Sequence, residues 1–264
     1  MGYVFEFSDA IAYEKWLAED RNQAVIGLES RLMVEMVQPN VGESLVDIGC
    51  GTGASLKPFL GKGIQLTGVD PSPYMLDIAQ KKFGQRVDLH QAYAEKLPFD
   101  DNTFNHACLC LTLEFCEDPR KALEEACRVA KDSVFVGILN KYAFKALQRR
   151  IRGIFKTTIY NRARFFSAGE IKRMLLSLLG NVPMSSRTVC QFPGISNPLI
   201  YRIESSGSAQ RSPFGAFAGI IAIPVPRFRT TPLMLKSPVN KTAPSSTPVA
   251  SCAGDLKNNS ERLI

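Results

Sequence analysis

The stretch Leu45-Val46-Asp47-Ile48-Gly49-Cys50-Gly51-Thr52-Gly53 constrains this chain more than any other. A short apolar run ends abruptly in three glycines spaced two apart. Glycine accepts left-handed backbone and lets main chain approach a neighbour closely, so the run reads as a strand entering a tight turn. A helix over 54–60 is expected to follow, and free N–H groups at a helix start favour an anionic group there. A second apolar run, 64–69, ends at Asp70, 21 positions beyond Gly49. That is close to the separation at which an acid at the end of the next strand meets ribose hydroxyls.

The rest of the chain extends this alternation. Apolar runs at 44–48, 64–69, 87–90, 104–111 and 133–139 read as strands. Helices lie between them, one opened by Pro71-Ser72-Pro73 and one by Asp118-Pro119, with proline in the favoured first turn. Further on come a helix over 168–179, stopped by Gly180, and strands over 188–192 and 216–223. Seven strands alternating with helices predict an α/β fold. It is Rossmann-like and doubly wound, with a mostly parallel seven-stranded sheet, helices on both faces and right-handed crossovers. Residues 10–38 read as N-terminal helices. The expected division is a helical cap or lid at 1–38, a ligand-binding domain at 39–226 and a disordered Pro/Ser/Thr/Lys-rich tail at 227–264.

Composition narrows the setting. No apolar run reaches the roughly 18–20 residues of a membrane span. The start MGYVFEFSDA lacks the basic and apolar regions of an export signal, so a cytoplasmic protein is expected. Seven cysteines have no C-x2-C pairing and only His90 and His106 to help them, so free buried thiols and no metal site are expected. The charge is uneven. Residues 141–173 hold ten basic side chains against Glu170 alone, about +9, so the remainder of a +7 chain is about −2.

The glycine turn fits more than one ligand. Gly49-x-Gly51-x-x-Ala54 matches the G-x-G-x-x-A form of dinucleotide sites, and a turn without a ligand is a further reading. Asp47 bears on the choice. A carboxylate two residues before the first glycine would repel a pyrophosphate. It would attract S-adenosylmethionine (SAM), which has no phosphate and carries an ammonium and a sulfonium.

Four stretches make the chain similar to the SAM-dependent methyltransferases of class I, in the small-molecule group that includes quinone-biosynthesis enzymes. They are VDIGCGTG at 46–53, VDPSPYML at 69–76, AEKLPFDDNTFN at 94–105 and LTLEFCEDPRKALEEACRV at 111–129. Weaker similarity covers ARFFSAGEIKRML at 163–175 and PFGAF at 213–217. The resemblance implies SAM as cofactor. Asp47, Gly49, Cys50 and Gly51 would line its methionine part, and Asp70 would bind the ribose. Pro71 and Met75 would border the adenine, Ala94 would offer backbone to the adenine edge, and Leu111 would sit by the methionine moiety. Where the family often has an acid for the adenine amine, this chain has Tyr93.

The sulfonium already activates the methyl group, so the chemistry asks mainly for alignment and exclusion of water. For a hydroxyl acceptor a base helps. Glu114, after the fourth strand, is the first candidate; a solvated or salt-bridged glutamate is its alternative. His106 reads as a core histidine or a second candidate, and Tyr142 as a weaker one. Tyr3, Phe5, Phe7, Tyr13 and Trp16 form either a lid or a packed helix face. The expected partner is a small-molecule acceptor. The basic segment 141–164 reads as a solvated face, as a peripheral contact with anionic membrane, or as a nucleic-acid contact, which no RNA-binding motif accompanies. A non-catalytic SAM-fold binding protein and an aminopropyl transferase are the other functional readings.

Overall fold

The computed structural model describes residues 2–143, 163–191 and 206–224. Its strands are β1 (Ser44–Ile48), β2 (Gln65–Asp70), β3 (Asp88–Gln91), β4 (Phe104–Cys110), β5 (Ala130–Leu139), β6 (Met184–Val189) and β7 (Phe217–Ala222). Its longer helices are α1 (Phe7–Ala18), α2 (Asp20–Val37), α3 (Pro73–Phe83), α4 (Pro119–Val129) and α5 (Ala168–Leu179).

The strands form one sheet in the order β3-β2-β1-β4-β5-β7-β6. β1 to β5 pair in parallel, whereas β7 runs antiparallel to both β5 and β6. The expected Rossmann-like, mostly parallel architecture is therefore present. Side chains alternate across the sheet and divide the core in two. Val46, Ile48, Val136 and Ile138 face α4 and α5. Leu45, Leu66 and Phe135 face α2 and α3. Burial on both sides explains the apolar runs within β1, β4 and β5.

Local signals fix the helix starts. Ser72 Oγ accepts from Met75 N, with Pro73 at the first helical position of α3. Asp118 accepts from Arg120 N and Lys121 N at the start of α4. Ser167 and Glu170 form a reciprocal capping box at α5.

Two expectations are corrected. The helix over 54–60 is only a single 3-10 turn at Lys57–Phe59. Gly53 before it and Gly61 after it both have positive φ, and Pro58 lacks an N–H, so there is no room for a longer helix. The sixth strand is Met184–Val189 and not 188–192. It is an edge strand with exposed Ser185 and Arg187, so an apolar pattern does not mark it. Cys190, with φ of 64°, ends it.

His106 is a core residue. Its ring nitrogens meet Ser133 Oγ and Glu43 Oε2, each at 2.8 Å. Hydrogen bonds from Asn40 and then His106 hold Glu43 down to about 2. Among the described residues no helix is long and apolar enough to cross a membrane. The tail 227–264, Cys252 and residues 144–162 of the basic segment lie outside the described residues.

Candidate functional site

The strand order reverses between β1 and β4, which leave in opposite directions along the sheet. Ligands of open α/β sheets bind at such a point, beyond the carboxyl ends of the strands. Here the glycine turn, Asp70 and Leu111 all emerge at that edge.

The three glycines have different tasks. Gly49, Gly51 and Gly53 have φ of 75°, 54° and 84°. A Cβ on Gly49 would collide with Thr112, and one on Gly53 with the Phe83 ring. These two allow packing. A Cβ on Gly51 would meet only Met75 Sδ, at 4.0 Å. Its bare face opens onto a cavity. The turn is pinned by Gly49 N and Cys50 N, which donate to Val69 O at 2.7 and 2.9 Å.

Two carboxylates converge behind it. Asp70 accepts from Gly51 N and from Ser72 N, each at 2.9 Å. Burial still pushes it up to about 6, against the lowering effect of those two donors. Asp47 is buried, and one of its oxygens accepts from Ser55 Oγ. Its Oδ1 has no hydrogen-bond partner among the described residues. Burial, opposed by Ser55 and reinforced by the nearby Asp70, pushes it up to about 7. Two desolvated acids beside an open glycine face suit a cation.

One cavity gathers most of the residues singled out from the sequence: Gly49, Cys50, Gly51, Asp70, Pro71, Met75, Ala94 and Leu111, with Tyr93. Asp47 is not on the cavity wall; it stands behind the turn. Neither is Glu114. The catalytic base expected at Glu114 is therefore off the cavity wall, and its alternative, a solvated or salt-bridged glutamate, does not hold either: the carboxylate is buried beyond the end of β4, where Oε1 accepts from Leu139 N at 2.8 Å. Burial pushes it up to about 7, and its Oε2 lacks a partner among the described residues. Tyr142 is exposed and off the cavity, and Lys141 pairs with Glu170 at 3.6 Å.

The N-terminal segment closes over this edge. Tyr3 N donates to Phe115 O at 2.9 Å, and Ser72 Oγ donates to Phe5 O at 2.6 Å. The rings of Tyr3 and Phe5 meet edge to face at 5.2 Å, and Phe5 and Phe115 at 5.1 Å. Tyr3, Phe5, Tyr13 and Trp16 line the cavity; Phe7 instead packs on Tyr74, outside it.

Sequence reasoning missed the α2 wall. Val25, Glu29 and Met33 line the cavity at four-residue spacing, one face of a helix. The signal was a charged residue interrupting an apolar stripe. Phe115, Cys116 and Glu95 were missed as well, being ordinary in the sequence around them.

A family model described as a methyltransferase domain matches residues 46–136. An uncharacterised protein of Methanocaldococcus jannaschii is 35% identical over 170 residues, covering 63% of this chain and 76% of its own. A SAM-dependent methyltransferase of Thermotoga maritima has a similar solved structure, with TM-score 0.64 and 27% identity, covering 83% of this chain and 97% of its own. The chain belongs to the class I SAM-dependent methyltransferases. The cofactor of this methyltransferase is SAM, and the buried Asp47 oxygen, which has no partner among the described residues, and the open Gly51 face fit so cationic a group. A demethylmenaquinone methyltransferase of Paenarthrobacter aurescens is 34% identical over 101 residues. That match covers 38% of this methyltransferase and 40% of the relative.

Proposed function

We propose that this methyltransferase holds SAM along the glycine turn and passes its methyl group to a small-molecule acceptor enclosed by the N-terminal aromatic residues. The observation that carries the reading is one shared cavity: Gly51, Asp70, Tyr3, Phe5, Tyr13 and Trp16 all line it. When bound, SAM supplies an electrophilic methyl group and a neutral thioether leaving group.

The residues divide the work of binding. Asp70 takes the ribose hydroxyls. Gly49, Cys50 and Gly51 border the methionine end, with Asp47 supplying negative charge from behind. Pro71, Met75 and Ala94 border the adenine, Tyr93 offers it a ring face, and Leu111 covers the methionine chain. Glu114 acts as a positioning residue: it holds the Leu139 N–H, and Leu139 lines the cavity. Residues 1–38 serve as the lid, and 39–226 form the catalytic domain. A lid of aromatic rings excludes water and tolerates a sulfonium through cation–π attraction.

Removing residues 1–20 tests the lid. Equilibrium titration with SAM is expected to change by less than about fivefold, while radiolabelled methyl transfer into cell-extract fractions falls at least tenfold. Equal loss of both contradicts a lid.

The carboxylates give a pH signature. Both acids are raised by burial, so their neutral forms are the ones the fold favours. In the ligand-free chain the stability these two groups contribute is therefore fully present below the ordinary carboxylate pKa of about 4 and is lost as pH rises through 6 and 7. SAM reverses the preference, because it attracts the ionised forms. As pH falls through about 6, Asp70 takes up a proton and loses that attraction. Calorimetry is expected to give an affinity about tenfold weaker at pH 5 than at pH 7.5. A flat profile contradicts the placement of SAM beside Asp70.

The second reading, a SAM-fold protein without catalysis, is disfavoured by the site itself. Beside the open glycine face and its desolvated acids, the same cavity leaves room among the N-terminal aromatic residues for a second molecule, which a protein that only bound SAM would not need.

A further inference from the structure

Ser72 joins three parts of the molecule. It is the N-cap of α3, where its Oγ accepts from Met75 N at 3.3 Å. Its own N–H donates to Asp70 Oδ1 at 2.9 Å, while Gly51 N donates to the other oxygen of that carboxylate, also at 2.9 Å. The hydroxyl donates in turn to Phe5 O at 2.6 Å, across 67 positions of sequence. Phe5 lines the cavity with Asp70 and Pro71, whereas Ser72 stands behind the wall. Ser72 is fully buried, so water does not compete for the bond to Phe5. A capping role alone needs only an acceptor oxygen, which Asp or Asn would supply as well. The serine hydroxyl has a donor besides, and that donor goes to the N-terminal segment.

We propose that Ser72 couples the cofactor to the lid: SAM on Asp70 fixes the 70–72 turn and, through the Ser72 hydroxyl, tightens the N-terminal segment over the cavity. The proposal rests on the reading of Asp70 as the ribose site and of residues 1–38 as the lid, and it adds the residue that links them. Without a ligand, protein groups alone hold the turn: Gly51 N and Ser72 N on Asp70, and Gln91 Nε2 on Pro71 O at 3.1 Å. A ribose on the same carboxylate, with adenine against Pro71, removes freedom that Ser72 would otherwise lose on engaging Phe5. Ordering completed by one event is not required again by the other, so the two favour each other. Linkage makes this reciprocal: the cofactor tightens the lid by the factor by which the lid tightens the cofactor. That factor lies below the roughly fivefold change in SAM affinity expected on removing residues 1–20, and about threefold is expected. Ser72 is thus a positioning residue. A second tie offers the contrast. Lys82, in the last turn of α3, pairs with Glu14 of α1 at 2.6 Å and reaches Thr52 O at 3.4 Å. Thr52 is off the cavity wall, so this pair holds the lid with or without the cofactor.

Hydrogen exchange of the full-length chain, read by mass spectrometry on peptides within residues 2–18, reports lid opening. Saturating S-adenosylhomocysteine is expected to slow exchange of the wild-type peptides about threefold. Ser72→Gly removes the hydroxyl and keeps a residue that serves nearly as well at a helix start. Its peptides should exchange faster than wild type, and saturating ligand should change their rate by less than about 1.5-fold. Lys82→Met should also exchange faster, yet retain the roughly threefold slowing. Calorimetry on each protein establishes that the ligand is bound. Wild-type peptides unaffected by bound ligand, Ser72→Gly peptides still slowed as in wild type, or Lys82→Met peptides that lose the slowing each overturn the proposal while leaving the cofactor reading intact. Failure of the wild-type chain to bind S-adenosylhomocysteine sinks the reading on which it rests.

Discussion

Replacing Asp70 by alanine is expected to weaken SAM binding about a hundredfold. Hydrogen bonds to a charged group contribute roughly 1.5–3 kcal/mol net, and about 1.4 kcal/mol is a tenfold change in affinity. Two ribose hydroxyls on one carboxylate thus account for a loss of that size. The substitution has a second effect, because Asp70 also accepts from Gly51 N and Ser72 N at 2.9 Å each. Leaving a buried N–H without a partner costs about 1–3 kcal/mol. The alanine variant should therefore unfold at lower urea concentration as well as bind less. Asp70→Asn separates the two effects. It keeps one acceptor oxygen for the turn and removes the charge, so it should retain more stability and still lose about tenfold in affinity. A SAM affinity within twofold of wild type in the alanine variant would contradict the ribose assignment.

Gly53→Val should damage the fold and Gly51→Ala the binding. Valine at Gly53 must adopt a φ of 84° and place its Cβ against the Phe83 ring. Left-handed backbone for a β-branched residue costs about 1–3 kcal/mol, and overpacking a core adds about 1–3 kcal/mol. A combined loss of roughly 2–6 kcal/mol is large for a domain stable by about 5–15 kcal/mol. Alanine at Gly51 faces only Met75 Sδ at 4.0 Å, so its strain is limited to the backbone, about 1–2 kcal/mol. Its methyl group nonetheless occupies the open face, and SAM affinity should fall at least tenfold. Urea unfolding and calorimetry on the two variants give the comparison. If Gly51→Ala is the less stable of the two, or binds SAM normally, the division of labour among the glycines is wrong.

Much of this architecture was legible in the residues. β1, β2, β4 and β5 are apolar runs because both faces of a parallel sheet are covered. Ser72-Pro73 and Asp118-Pro119 announce α3 and α4 because capping is local chemistry. The glycine turn and Asp70 are adjacent in space because consecutive parallel strands bring their carboxyl ends together. The failures have equally definite causes. The segment 54–60 is apolar enough for a helix, yet its flanking glycines and Pro58 stop it after one turn. β6 is an edge strand whose polar side chains hide its register. Glu114 follows β4 as expected, but only packing decides that its carboxylate turns inward to Leu139. Glu29 resembles a solvent-facing residue until α2 is laid against the cavity beside Val25 and Met33.

The most direct test is a crystal structure of the chain grown with S-adenosylhomocysteine. In that structure the ligand's ribose hydroxyls are expected on Asp70, its amino-acid end over Gly49 and Gly51, and its sulfur facing the space lined by Tyr13 and Trp16. A ligand bound elsewhere, or lying in this cavity with its ribose away from Asp70, would contradict that placement.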